Sequence, residues 1–328
     1  MLDIYFDPNY GKLYESAENG KFISWIYDGV EGQVVHNFIL RIIPINTEES
    51  FFDIVTPYGY GGPVIRKINS EYTKEQLINA FEVSFAEYCH KSNIVSEFVR
   101  FHPIVNNALD FKKVYNASLI RHTLGTNLAD YEDAIASEFS KRCRKNIRKA
   151  LNKGVSFNVV KSPETEHIEK FKKVYYSTMD RNNAVDYYYF DDKYFSDCLD
   201  YFKDSLLYIE AIFENVTIAA GLYFVYNRTI HIHLSGTLSE YLYLSPAYIL
   251  RYAAAQWGIE NGCELIHHGG GRSNSPDDKL FLFKKQFAQN TEFDFYVGKK
   301  IWNDTMYKSL CEIKGVNTDS EYFPAYRS

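Results

Sequence analysis

The chain has 328 residues, 46% of them hydrophobic and 24% charged, a balance that excludes a disordered polymer and leaves room for about two domains. A net charge of −6 argues against a surface that grips nucleic acid throughout and leaves only a local basic patch for that role. The most apolar stretches, 38–45 and 221–226, are too short to cross a bilayer, and the start, with Asp3, Asp7, Lys12 and Glu15, lacks the basic-then-apolar order of a secretory signal.

A cytoplasmic protein without a transmembrane segment is therefore expected. Five cysteines, Cys89, Cys143, Cys198, Cys263 and Cys311, form no CxxC pair and read as reduced thiols rather than a disulfide frame or zinc site. Aromatic residues make up 17% of the chain, with 28 Tyr and 24 Phe. They suit core and rim filling, or a cleft that stacks on sugars.

In chain order, the β-branched and aromatic runs 22–27, 34–45 and 51–55 read as a strand meander. The segment 56–63, TPYGYGGP, is too rich in Gly and Pro for either regular element and must be a shaped loop. Leu77, Phe81, Phe85 and Tyr88 recur at helical spacing over 74–91, and strands follow at 94–101 and 117–123. Over 138–154, Phe139, Cys143, Ile147 and Leu151 form an apolar seam, while Lys141, Arg142, Arg144, Lys145, Arg148, Lys149 and Lys153 cover the remaining surface of a helix that Gly154 stops.

Ser162-Pro163 reads as the capped start of a helix running past Met179, and 191–203 as another helix. Strands at 206–214, 217–226 and 229–235 form an antiparallel meander with two-residue turns. A nearly all-apolar helix from Ser245-Pro246 to Asn261 is followed by a strand at 263–267. Meander, loop, helix and strand thus occur twice, which suggests a duplicated unit and an α+β fold with mixed sheets rather than a doubly wound parallel sheet.

Segments 52–63 (FDIVTPYGYGGP), 143–150 (CRKNIRKA), 176–181 (YSTMDR), 233–237 (HLSGT), 268–271 (HGGG) and 283–287 (FKKQF) resemble, in this order, the FemABX-like branch of the GNAT superfamily. The resemblance runs from about residue 50 to 290. It implies two tandem GNAT-like acyltransferase domains, 1–155 and 156–328, with an interdomain cleft. It also implies transfer of an acyl or aminoacyl group to an amine of a cell-envelope precursor that is small, nucleotide-linked or lipid-linked. Acyl-CoA, such as acetyl-CoA, is the first donor expected and aminoacyl-tRNA the second, the basic helix 141–153 then holding tRNA. A peptidoglycan stem peptide is the acceptor in the second case and an amino sugar in the first. A non-catalytic glycan-binding protein on the same fold is the rival of another class.

The resemblance also directs attention to particular side chains. Direct attack by an unprotonated amine needs no covalent nucleophile, and no Gly-x-Ser-x-Gly elbow is present. His231, His233 and Ser235 alternate onto one face of their strand, making His233 a candidate base or a buried hydrogen-bonding histidine and Ser235 a substrate contact. His268, before a glycine-rich loop, is the second catalytic candidate, and adjacent His267 should face the opposite side. No metal is expected from these histidines. Tyr58 and Tyr60 are expected to reach the substrate from their loop. Arg181 can clamp an anion or cap its helix. Lys284 and Lys285 can meet a phosphate or carbonyl, and Asp277 and Asp278 read as a helix cap. The glycine turn that holds CoA pyrophosphate in classical GNAT enzymes is replaced by 241–246, YLYLSP, so the helix start from Ser245 to Tyr248 is the remaining donor contact.

Overall fold

The computed structural model describes residues 2–45 and 49–328. In chain order the elements are α1 (Pro8–Lys12), β1 (Gly20–Gly29), β2 (Gly32–Ile42), β3 (Phe52–Val55), β4 (Val64–Ile68), α2 (Lys74–Lys91), β5 (Ile94–Arg100), α3 (Ala108–Tyr115) and β6 (Ser118–Asn127). There follow α4 (Ala134–Glu138), α5 (Lys141–Asn152), β7 (Ser156–Lys161), α6 (Thr165–Arg181), α7 (Asp192–Phe202), β8 (Leu206–Phe213), β9 (Val216–Tyr226), β10 (Thr229–Thr237), α8 (Pro246–Glu260), β11 (Leu265–Gly269), α9 (Lys279–Lys285), β12 (Thr291–Ile301) and α10 (Asp304–Lys314).

The chain divides into two compact units, one comprising Met1–Arg121 and Asp294–Ser328 and the other His122–Phe293. In the first, β1 and β2 form an antiparallel hairpin, β3 pairs antiparallel with β2, β5 runs parallel to β3, and β12 is antiparallel to β5. The core lies where Leu77, Phe81 and Phe85 of α2 meet Phe38, Ile54, Ile94 and Val99 of the sheet. A capping box between Thr73 and Gln76 starts α2 where the heptad-like apolar spacing begins.

In the second unit, β7, β8, β9 and β10 are successive antiparallel neighbours, β11 runs parallel to β10, and β6 is antiparallel to β11. Helix α8 buries Ile249, Leu250, Ala253 and Ala254 against this sheet. Its small residues allow the close approach, and Gly258 sits where a Cβ would meet Leu128. The meander, helix and parallel strand read twice in the sequence are therefore present twice, as β1–β3, α2, β5 and as β8–β10, α8, β11. Each sheet gains one further antiparallel strand, β12 beside β5 and β6 beside β11. Both sheets are mixed, as the element order implied.

The unit bounds differ from the expected division at residue 155. Helix α5 does not close the first unit: Cys143, Ile147 and Ala150 belong to the core beneath α8, and the chain after Asp294 returns to the first unit. The start of α6 also differs. Ser162 has φ +56° and stands outside the helix, whose cap is Glu164 paired reciprocally with His167. All five cysteines are free and buried, and no helix of the described residues is long and apolar enough to cross a membrane.

Candidate functional site

In the first unit the glycine-rich loop 56–63 is pinned on both sides. The Arg100 backbone N–H donates to Thr56 Oγ1 at 3.0 Å, and Asn107 Nδ2 donates to the carbonyls of Gly61 and Pro63, both at 2.9 Å. Gly62 adopts φ +85° with a Cβ position only 2.8 Å from Val99, so the turn admits no larger residue. Tyr60 does not project from this loop: it is buried, edge-on to Tyr5, His102 and Phe295. Burial and neighbouring Tyr58 raise its pKa despite Arg121. Tyr58 is half-buried beside Tyr14, and its carbonyl accepts a 3.0 Å hydrogen bond from Tyr10. The expected substrate contact from Tyr60 is thus replaced by an aromatic wall.

In the second unit, β10 carries a bulge between His231 and Leu234, where three residues advance on β10 against two on β9. The extra residue reverses the side-chain alternation. His233 therefore meets Phe224 and Tyr194 on one face of the sheet, while Ser235 reaches Tyr223 and Arg251 on the α8 face. The expectation that His233 and Ser235 share a face fails for this reason. Gly236 permits the close approach of α6, since its Cβ position lies 2.5 Å from the Val174 carbonyl oxygen.

His233 Nε2 lies 2.6 Å from the Tyr194 hydroxyl. Burial, with a smaller contribution from His231, lowers its pKa to about 3, so the ring is neutral at neutral pH. His267 and His268 face opposite sides of β11, the first 3.0 Å from Thr123 Oγ1 and the second 2.8 Å from Thr126 Oγ1. The Thr126 hydroxyl donates to the Phe287 carbonyl at 2.6 Å. His268 Nε2 is therefore the donor to Thr126, and Nδ1 carries the lone pair. Burial, Arg251 and Lys284 keep the His268 pKa well below the usual value.

Lys284 reaches back to the loop after β11, donating to the Gly270 carbonyl at 2.6 Å. Asp278 organises that loop: its carboxylate accepts from the backbone N–H groups of Phe281, Arg272 and Ser273 at 2.7–2.8 Å and from the Ser273 hydroxyl at 3.2 Å. These donors, Phe281 first, lower its pKa to about 2. Asp278 caps α9, as its sequence context indicates. Lys285 is paired with Glu292 and the Gln289 carbonyl at the surface. Arg181 bonds the Thr237 carbonyl at 2.6 Å, Thr237 Oγ1 at 3.0 Å and Ser239 Oγ at 3.1 Å, tying the end of α6 to the end of β10.

The start of α8 offers little to a pyrophosphate. Ser245 stands at φ +55° without a side-chain cap, Pro246 has no N–H, and the Tyr248 N–H is bonded to the Ser245 carbonyl at 3.1 Å. The Tyr248 hydroxyl turns to Gln286 at 3.1 Å. Among the described residues no cluster of His, Cys, Asp and Glu is arranged to hold a metal. Sequence reasoning missed Arg251 and Tyr223, because an arginine within an apolar helix pattern carries no positional signal until its neighbours across the sheet are known.

Residues 110–212 match the FemAB family. A UDP-N-acetylmuramoylpentapeptide-lysine N(6)-alanyltransferase from Weissella viridescens is 27% identical over 99 residues, spanning 30% of this chain and 29% of that protein. A crystal structure of FemX superposes with a TM-score of 0.64 at 14% identity, covering 92% of each chain. The structure of L-PGS from Bacillus licheniformis gives 0.55 at 12% identity, covering 92% of this chain and 94% of that one. Residues 110–212 thus resemble the FemAB family, and the chain as a whole shares the fold of the FemX structure.

Proposed function

We propose that this protein is an aminoacyltransferase that moves an amino acid from aminoacyl-tRNA to an amine of a peptidoglycan precursor. The observation that carries the donor assignment is helix α5. Lys141, Arg142, Lys145, Arg148 and Lys149 are exposed on it and Lys153 at its C-cap, and no carboxylate among the described residues pairs with them. In a chain of net charge −6, such a face suits a phosphate backbone. Lys153 also lies 5.2 Å from the ring of exposed Tyr243, a cation beside an aromatic surface on which a base can stack. The proline-blocked start of α8 weighs against the acyl-CoA donor. The relative named as an alanyltransferase supports a peptidoglycan acceptor.

In the proposed reaction the acceptor amine attacks the ester carbonyl of the donor. A C–N bond forms, the C–O bond to the tRNA breaks, and the amine proton passes to the departing hydroxyl. Lys284, held by the Gly270 carbonyl, is the cation offered to the developing oxyanion. The test is transfer of label to a UDP-linked muramoyl pentapeptide from a panel of aminoacyl-tRNAs and from acetyl-CoA. Labelled peptide is expected from at least one aminoacyl-tRNA. Label from acetyl-CoA alone would return the donor to acyl-CoA, and binding of glycan without transfer from either donor would place the chain among non-catalytic binders.

A further inference from the structure

Arg251 is only 6% exposed, yet no carboxylate among the described residues pairs with it. Its partners are neutral: Nη1 donates to the Tyr223 hydroxyl at 2.6 Å and to Ser235 Oγ at 3.4 Å, and the guanidinium lies 5.5 Å from the Tyr223 ring centroid. Its Nε is buried without any hydrogen-bond partner. A buried guanidinium without a counter-charge is strongly destabilising unless something supplies the missing anion. The same neighbourhood leaves a second buried group unmatched. His268 is 2% exposed, its Nδ1 has no partner, and its Nε2–H is committed to Thr126. His268 packs 6.1 Å from the Phe287 ring, which in turn lies 5.3 Å from the ring of Tyr248, one turn before Arg251 on α8, and Arg251 and Lys284 both lower its proton affinity.

The free hydrogens and lone pair define what fits. Arg251 Nε–H points to no acceptor. Ser235 Oγ accepts from Arg251, and with the Tyr223 hydroxyl, itself an acceptor from Arg251, donating to it at 3.3 Å, the Ser235 hydrogen is available to donate. His268 Nδ1 requires a donor. We propose that Arg251, Ser235 and His268 bind a carboxylate whose neighbouring atom carries an N–H, as at the C-terminus of a peptide: the carboxylate on Arg251 and Ser235, the N–H on His268 Nδ1. Ser235 keeps some exposed surface and no residue of α9 is fully buried. The proposal is independent of which donor the protein uses.

The probe is N-acetylglycine, which has a carboxylate beside an amide N–H, compared with N-acetylglycinamide, acetate and inorganic phosphate. Binding is read by thermal shift and by titration calorimetry, neither of which depends on turnover. Saturable binding of N-acetylglycine, tighter than acetate, is expected, with no response to N-acetylglycinamide. In Arg251→Met affinity should fall by about 10-fold or more, the range for loss of a charged hydrogen-bond partner, while the ligand-free protein melts no lower than wild type because an uncompensated buried charge has been removed. Ser235→Ala, which keeps the arginine, should weaken binding without unfolding. Equal binding by wild type and Arg251→Met, preference for phosphate, absence of saturable binding, or a lower melting temperature of ligand-free Arg251→Met would each overturn the assignment.

Discussion

Tyr194 and His233 share a hydrogen bond across the face of the second sheet, Oη to Nε2 at 2.6 Å, with the His233 ring also packed 4.8 Å from that of Phe224. Two histidines of this unit, His233 and His268, are held neutral by burial. The unfolded chain binds protons at these rings below about pH 6.5, and the folded chain does not. Their contribution to stability is therefore fully present above that pH and is lost as pH falls below it, down to about 3 for His233. Imidazole 15N–1H correlation spectra should show both rings neutral at pH 5, with His268 protonated on Nε2. A ring of either residue titrating near pH 6.5 would contradict this.

The same neutrality bears on chemistry. A ring whose pKa is about 3 is a weak proton acceptor at neutral pH, and the expectation to test is that His233 contributes through its hydrogen bond to Tyr194 rather than as a titrating base. His233→Gln, which can keep a polar contact, should retain turnover within about 10-fold and leave the pH–rate profile between pH 5 and 8 unchanged. Loss of an acidic limb from that profile in the variant would restore His233 as the base.

Asp278 gives a pH dependence of its own. Its folded pKa of about 2 lies below the unfolded value of about 3.9, so the stability it contributes is present above pH 4 or so and disappears as pH falls through about 2. Asp278→Asn should melt below wild type at pH 7, and the gap should close in acid. Melting curves at pH 7 and near pH 2.5 measure it.

Gly236 tests the geometry of the bulged strand. A methyl group there meets backbone of α6, with Tyr175 Cα only 2.7 Å away, and backbone cannot swing aside. Gly236→Ala is expected to cost about 1–3 kcal/mol in urea unfolding. An unchanged midpoint would mean that α6 sits farther from β10.

Much of this fold was legible from pattern alone. Helix α2 coincides with its expected span of 74–91, because Leu77, Phe81 and Phe85 mark one face and Thr73 with Gln76 caps it. Strands β8, β9 and β10 lie within a residue or two of their expected bounds, their turns set by positive φ at Glu214-Asn215 and Asn227-Arg228. Strand β12 was missed although Phe293, Phe295 and Val297 alternate, and so was α3, where Phe111, Val114 and Tyr115 keep helical spacing over two turns.

The candidate site was less legible, and the reason is local. Strict alternation put His233 and Ser235 together, whereas one extra residue in β10 separates them. Nor does the sequence alone reveal that Tyr60 turns inward to Tyr5 and His102, since a Gly-Pro loop can present its aromatics in either direction. What the motifs did convey was the likeness to the FemAB family over 110–212 and the duplicated fold shared with FemX.

The central claim, aminoacyl-tRNA as donor, is tested most directly by single-turnover transfer from labelled aminoacyl-tRNA to the muramoyl pentapeptide, comparing wild type with Arg148→Glu/Lys149→Glu on the exposed face of α5. The account predicts transfer by wild type, saturation of the variant only at about 10-fold or more higher tRNA concentration, and a shallower salt dependence as phosphate contacts are lost. Identical saturation and salt dependence in the two folded proteins, or transfer from acetyl-CoA and from no aminoacyl-tRNA, would contradict it.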